Sequence, residues 1–451
     1  MSPSEACPHR PPCPGCPRFG ETDLPDAART ILERLAARAK LPEPPVHRAP
    51  VHGHRHRARL AVRGTARAPA IGLFERGSHR IVDVPDCLVH HPLVNEVARV
   101  VRQAIRETGV APYDDTTHRG ALRYLQVVVE RPTGRAQVVL VGRGETPEVL
   151  DALPEAVERS LGDRLQGLFF NAQPERSNTI LGPRTLRLAG ASATRERIGG
   201  VDVFFPPAAF GQNHLPLFDR AAERIAALVP DGLRIAEAYC GVGALGLPLL
   251  GRASEVRFNE RSPDGLAGLE LGLAARPASE RARVRILPGA AGDQTALVDD
   301  VDVLLVDPPR RGLDEALREA IRIRPPRRLV YLACGLEALE RDLDTLLADG
   351  SLRLRGLEVF DFFPWTGHVE TLAWCDREPD GPESLAWRDH QPDGPESLAW
   401  RDHEPDGPES LAWRDHEPDG PESLAWRDRE PDGPESLARR DRERDGGESL
   451  A

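Results

Sequence analysis

Lysine is almost missing from this 451-residue chain: of 59 basic residues, only Lys40 is a lysine. Alanine, glycine, proline and arginine are abundant instead. That bias reflects a GC-rich genome, so the arginine excess alone does not argue for a nucleic-acid partner. No run of about 18 apolar residues is present, which argues against a membrane-spanning helix. The start, Met1-Ser-Pro-Ser-Glu-Ala-Cys7, lacks the apolar segment of a secretory signal. Seven cysteines are an odd number, in a chain too long to need disulfide staples. The expected compartment is a reducing cytoplasm, where clustered cysteines act as ligands or catalysts.

The net charge of −12 is unevenly distributed. Residues 376–451 hold 23 acidic and 10 basic side chains, whereas residues 1–375 hold 48 and 49. The body is therefore close to neutral, which is compatible with an RNA partner but does not demand one. The acidic end is a tandem repeat of period 13, marked by Trp387, Trp400, Trp413 and Trp426. Its Pro-Asp-Gly-Pro breaks and its charge predict a disordered tail, duplicated from the last strand's end near Glu370–Gly381.

Four segments are expected. Residues 1–20 are rich in proline and cysteine. Residues 21–200 read as an α+β domain, with a helix over about Leu24–Lys40 and another over Leu93–Thr108. Alternating strands lie at Ala58–Arg63, Tyr124–Val129 and Gln137–Val141, and an antiparallel sheet follows from them. From 201 to 375 apolar strands alternate with helices: Leu233–Ala238, Glu255–Phe258, Arg283–Leu287, Val301–Val306 and Arg328–Leu332. That is the pattern of an α/β, doubly wound parallel sheet. Leu354–Asp361 and Val369–Cys375 are expected to close it as an antiparallel pair. Residues 376–451 form the repeat tail.

The chemistry-bearing residues cluster in the α/β part. Gly241-Val-Gly243-Ala-Leu-Gly246 follows a strand and precedes an expected helix, so its backbone can turn tightly against a ligand. Glu260 ends the next strand, at the distance where a carboxylate meets ribose hydroxyls. This pair alone suits a dinucleotide dehydrogenase as well as an S-adenosylmethionine site. Asp307-Pro-Pro-Arg310 and Cys334 both end strands at the carboxyl edge, where doubly wound sheets bind ligands. Glu370 returns towards that edge after Phe363-Pro-Trp-Thr-Gly-His. A thiol and a carboxylate there suit covalent catalysis on a pyrimidine. The thiolate adds to carbon 6, carbon 5 takes a methyl group, and a base removes the carbon-5 proton. Cys240, packed beneath the glycine turn, and Cys375, at the fraying end of the last strand, have weaker claims.

In this order the motifs resemble the S-adenosylmethionine-dependent RNA uracil-5-methyltransferases, over about residues 7–375. The resemblance implies a Rossmann-like class I methyltransferase domain. In it, Phe210-Gly-Gln212 resembles the F-x-Q motif, with Gln212 at the cofactor. Tyr239-Cys-Gly241 resembles the cofactor turn, Glu260 the ribose acid, and Asp307-Pro-Pro-Arg310 the D/N-P-P-R motif. Cys334 is implied as nucleophile and Glu370 as base. Glu237 stands for the acid opening the cofactor strand. Departures are Ala333-Cys-Gly335 for S-C-N, His214 in place of an asparagine, and no polar residue near the adenine in Leu287-Pro-Gly-Ala-Ala.

Cys7, Cys13, Cys16 and Cys87 form a four-cysteine set whose spacing alone allows zinc or iron. The resemblance implies the [4Fe–4S] ligands of the ribosomal-RNA branch, and the short segment before Cys7 leaves no room for that family's β-barrel domain. The implied substrate is a uridine of 23S ribosomal RNA, with transfer RNA as the rival and the protein acting as a monomer without a membrane partner. A catalytically inactive iron–sulfur RNA-binding protein is a further alternative, motivated by Ala333 and Gly335. For RNA contact, His52-Gly-His-Arg-His-Arg-Ala-Arg59 is the densest basic stretch. If extended, it sets Arg55, Arg57 and Arg59 on one face. Arg119, Arg123 and Tyr124 are a second candidate.

Overall fold

The structure, a computed structural model, describes residues 7–378. The repeat tail expected from residue 376 onward thus lies almost entirely outside the described residues.

The expected first helix is α1 (Asp26–Ala39), which buries Ala28, Ile31, Leu32, Leu35 and Ala36. That spacing is one helical stripe. The sequence pattern groups α1 with the central domain, but it packs on the doubly wound α/β side, where Arg34 pairs with Glu340 at 2.6 Å and Arg38 with Asp344 at 2.7 Å. The chain then adds β1 (Val46–His47) in parallel to the edge of that side's sheet. The N-terminal stretch is therefore laced into the catalytic half before the central domain begins.

The central domain is a seven-stranded sheet. Its strands are β2 (Arg57–Gly64), β3 (Pro69–Phe74), β4 (Ile81–Asp83), β5 (Leu122–Glu130), β6 (Arg135–Gly142), β7 (Leu165–Ala172) and β8 (Arg184–Gly190). The spatial order is β4-β3-β2-β5-β6-β7-β8. Two helices, α2 (Pro92–Thr108) and α3 (Leu153–Leu161), cover it. α2 is bounded as its sequence directs: His91 accepts from the Leu93 N–H, Pro92 opens the helix, and Gly109 ends it at φ 75°. The neighbouring strands pair antiparallel, as expected, except β6 and β7, which are parallel. The α3 crossover between them supplies the length a parallel pair needs.

A hairpin, β9 (Thr194–Ile198) and β10 (Val201–Phe205), spans the expected domain boundary. Its turn is Gly199-Gly200, both at positive φ (53° and 79°), as a two-residue hairpin turn requires. β9 lies against β5 and β10 against a helix of the second domain.

That domain contains α4 (Leu215–Ala227), β11 (Arg234–Ala238), β12 (Glu255–Glu260), α5 (Pro263–Ala274), α6 (Ala278–Arg281) and β13 (Val284–Pro288). It continues with β14 (Val303–Val306), α7 (Glu315–Ile323), β15 (Arg328–Ala333), α8 (Leu336–Leu346), β16 (Leu352–Phe360) and β17 (Glu370–Arg377). The sheet order is β1-β16-β17-β15-β14-β11-β12-β13. All neighbours are parallel except β17, which runs antiparallel to both β15 and β16. The expected strands are thus present, and the last two do pair.

Two details differ from expectation, and the place of β17 in the sheet is a third feature of note. No α-helix follows the glycine turn: residues 241–246 stay in turns and lead only to a 3-10 turn at Leu247–Leu249. Pro248 removes a backbone donor there, and Gly243 and Gly246 are poor helix formers. Cys375 is not at a fraying end; it is 1% exposed and paired with Leu329 in mid-sheet. Finally, β17 lies between β15 and β16, so the strand entering at Glu370 starts beside the end of β15.

Candidate active site

The chain reverses direction across the sheet between β11 and β14, and the crevice at that switch point is the favoured ligand position of such folds. Its rim carries the glycine turn after β11, Glu260 at the end of β12, Asp307 after β14 and Cys334 after β15. Because β17 is antiparallel, its first residue, Glu370, lies at the same edge; Thr371 pairs with Ala333, the residue before Cys334. Topology, not sequence proximity, brings thiol and carboxylate together.

The electrostatics reflect their closeness. Burial pushes the Cys334 thiol well above the usual thiol range; Glu370 and Asp307 add to the push, and Arg310 opposes it. Burial likewise raises Glu370, with Asp307 adding and Arg310 opposing. Asp307 is raised by burial, and a hydrogen bond from the Gln212 side chain pulls it back. Glu370 is 0% exposed, yet neither carboxyl oxygen has a hydrogen-bond partner. Such an orphan is costly, and native structures rarely keep one without a use.

Gln212 reaches Asp307 because the central domain holds its segment firmly. Arg57 donates to the Ala209 carbonyl at 2.8 Å, Gln126 to Pro207 at 2.6 Å and Gln137 to Phe205 at 3.3 Å. These residues carry no such signal in the sequence, where Arg57 reads as an RNA contact. In fact His54, Arg55, His56 and Arg57 are buried, and Arg59 is tied to Gln126 at 2.7 Å. Arg123 is also buried and spends its guanidinium on the carbonyls of Gln173, Glu175 and Ser177. Of the second basic candidate only Arg119 is exposed.

The cofactor half is built around backbone N–H groups. The Glu260 carboxylate accepts from Gly241 (2.8 Å), Arg261 (2.8 Å) and Ser262 (2.6 Å), lashing β12 to the glycine turn. Gly241 has φ 54°, and a Cβ there would meet nothing within 4 Å, so the turn is open towards the crevice. Tyr239 also lies at positive φ (57°), and its hydroxyl donates to Asp314 at 3.2 Å while accepting from the Asp314 N–H at 2.9 Å. Glu237 is buried beneath, accepting from Gly246 N–H at 2.8 Å. Burial pushes it up to about 8. Cys240 is packed under the turn as expected, 6% exposed.

Comparison with known proteins now places the chain. Residues 296–378 match the family described as tRNA (Uracil-5-)-methyltransferase. An uncharacterized RNA methyltransferase of Protochlamydia amoebophila is 30% identical over 380 residues, covering 82% of this chain and 97% of that protein. One from Gloeobacter violaceus is 33% identical over 401 residues, covering 83% and 84%. The chain belongs to the RNA uracil-5-methyltransferase family. Its fold agrees with the crystal structure of the Pyrococcus abyssi tRNA (uracil-54, C5)-methyltransferase in complex with S-adenosyl-L-homocysteine. The two superpose with a TM-score of 0.65 at 23% identity, over 78% of this chain and 83% of that one.

Within this family member, the four N-terminal-set cysteines are only partly assembled. Cys7, Cys13, Cys16 and Cys87 are all buried, and no disulfide joins them. Cys13, Cys16 and Cys87 share one hydrophobic core, and Cys13 is close enough to add to the burial that pushes Cys87 up to about 12. Among the described residues, however, no group of three or more His, Cys, Asp or Glu side chains is placed to hold a metal ion. The ligand arrangement expected from the sequence is therefore not shown among the described residues. The number and type of these cysteines still fit a thiolate-held cluster. No helix among the described residues is long and apolar enough to cross a membrane.

Proposed function

We propose that this chain transfers a methyl group from S-adenosylmethionine to carbon 5 of a uridine in RNA, with Cys334 as nucleophile and Glu370 as base. The observation that carries the reading is the meeting of the Cys334 thiol with the buried, unpartnered Glu370 carboxyl at one sheet edge. Bound in the crevice, the cofactor supplies an electrophilic methyl group on a positively charged sulfur. The protein's groups fit such a cation: Glu237, Asp307 and Glu370 are carboxyls held up by burial, and a positive charge beside them favours their ionised forms. Gly241 and Glu260 are assigned to the nucleoside end, and this reading is supported by their mutual hydrogen bond; Tyr239 bonds Asp314, and Gln212 bonds Asp307 beside them.

On the uracil, the Cys334 thiolate forms a bond to carbon 6, and carbon 5 gains nucleophilic character and takes the methyl group. Glu370 accepts the carbon-5 proton; the electron pair restores the 5,6 double bond and expels the thiolate. The target uridine has to leave its stack to reach Cys334.

We take 23S ribosomal RNA as the substrate and a single chain as the working unit, on the resemblance of the four-cysteine pattern. The matched family description and the Pyrococcus enzyme both name tRNA, which favours transfer RNA as a second reading. Mass spectrometry of nucleosides from ribosomal and transfer RNA, with and without the gene, decides between them. Loss of one 5-methyluridine from large-subunit RNA is expected. Loss confined to transfer RNA selects the second reading, and no change in either RNA overturns both.

The cysteines extend the proposal. Cys7, Cys13, Cys16 and Cys87 would hold a [4Fe–4S] cluster that braces the N-terminal segment. Protein purified without oxygen is expected to contain iron and acid-labile sulfide, both lost in Cys87→Ser. Zinc, or no metal at all, would sink this part and leave the methyl transfer standing.

A further inference from the structure

We infer that Trp365 is a positioning residue that latches the loop leading to Glu370 onto the N-terminal cysteine-rich segment. This rests on the proposed role of Glu370.

The connection between β16 and β17, residues 361–369, belongs to the catalytic domain, and its Phe362 lies in that domain's core with Phe360. Three residues on, Trp365 leaves that core and is buried in the central domain's, together with Cys13, Cys16 and Cys87. Its ring packs on Phe19 at 5.0 Å and near His52 at 6.0 Å. Its carbonyl accepts from the Arg18 N–H at 3.0 Å. Trp365 sits at φ 61°, a conformation disfavoured for a bulky side chain and kept only where the surroundings enforce it. A tight turn next to it is closed by Thr366, which donates to the Phe363 carbonyl at 2.8 Å and accepts from the His368 N–H at 3.1 Å.

Beyond this turn the chain leads to the edge where Glu370 lies. His368 lies within electrostatic reach of Arg310, the same guanidinium that opposes the upward shifts of Cys334 and Glu370. Two residues later comes Glu370. Strand pairing fixes its backbone, but no hydrogen bond orients its carboxyl, so packing alone sets its rotamer. A group held only by packing responds to small displacements of the loop beside it. The Trp365–Phe19 contact therefore transmits the folded state of the cysteine-rich segment to the base.

The test compares wild type, Glu370→Gln, Trp365→Ala, Phe19→Ala and Trp365→Phe in full-length protein. Trp365→Ala and Phe19→Ala are each expected to lower kcat roughly tenfold to a hundredfold while leaving the methyl-donor KM within about twofold. Both are expected to accumulate the denaturant-resistant enzyme–RNA adduct that Glu370→Gln accumulates. Trp365→Phe recovers most of the loss. Hydrogen exchange, which needs no chemistry, is expected to rise at the Arg18 amide and over residues 361–369 in Trp365→Ala. Glu370→Gln stalling while Trp365→Ala turns over normally would overturn the latch alone. Unchanged exchange in Trp365→Ala overturns it as well. Absence of any adduct in Glu370→Gln and wild type alike overturns the reaction itself, and with it the catalytic role of the latch.

Discussion

Methyl transfer is expected to fall by on the order of 10⁴-fold or more when Cys334 becomes alanine, because the covalent step then has no nucleophile. Glu370→Gln should cost about 10² to 10⁴-fold, the usual weight of a general base, but it should fail at a later point. With Cys334 intact the carbon–sulfur bond still forms and the methyl group still arrives; only the carbon-5 proton has nowhere to go. The two variants are thus separated by one observation on a denaturing gel: RNA stays bound to Glu370→Gln and never binds covalently to Cys334→Ala. Equal adduct in both would remove Cys334 from the mechanism. The same geometry sets the pH profile. Burial holds both the thiol and the carboxyl above their usual ranges in the ligand-free site, so the ionised form of each grows as pH rises. Both must lose a proton to act. The single-turnover rate should therefore climb with pH when followed across the interval from about pH 6 to about pH 9. A rate that falls over this interval would contradict the assignment.

Much of this site is legible in the sequence because it lies at strand ends. Apolar runs ending in Asp307 and in Cys334 place both residues at the carboxyl edge of a parallel sheet whatever the strand order. Glu370 is harder. Its position depends on β17 inserting between β15 and β16, a non-local pairing that no local pattern encodes; the motif around it, through the family resemblance, supplies what periodicity cannot. The basic strand misleads for a physical reason. Arginine among histidines reads as a solvated face, yet Arg57 is buried with its guanidinium donating to a loop carbonyl, as is Arg123 of the second candidate. The departure at Gly335 also reads differently in three dimensions. A Cβ there would come 2.6 Å from the Arg310 carbonyl, so glycine is what lets the Asp-Pro-Pro-Arg loop close onto the turn after Cys334. It is a close approach of backbones, which gives the glycine a structural reason. The early helix α1 crosses the expected domain border for an equally plain reason: an amphipathic stripe declares that it must be buried, but not against which sheet.

Asp342 has no motif at all, and its replacement should be the most damaging change away from the reacting groups. It is 0% exposed and serves four partners at once. One oxygen accepts from the Leu313 N–H and the Tyr331 hydroxyl, both at 2.8 Å; the other accepts from Arg318 at 2.9 Å and Arg341 at 3.0 Å. A single carboxylate thereby ties α7, α8 and β15 to the loop that follows Arg310. Arg341 also donates to the Arg311 carbonyl, clamping the same loop from outside. Asp342→Ala strands a buried hydroxyl, a buried N–H and a guanidinium together. The expected cost is about 3–5 kcal/mol, the range found when one partner of a buried charged pair is removed. It would be read as a shift of the denaturation midpoint with unchanged slope. Tyr331→Phe removes only one of these bonds and leaves the carboxylate satisfied, so about 1 kcal/mol is expected there. If the two variants lost the same amount, the network would amount to no more than the Tyr331 bond. Should Asp342→Ala instead lose several times more than Tyr331→Phe and slow adduct formation in the protein that remains folded, the carboxylate would be acting on the Asp307–Arg310 loop as well as on stability. Leu313, whose N–H it holds, lies three residues beyond Arg310, and Arg310 is the positive charge beside both Cys334 and Glu370.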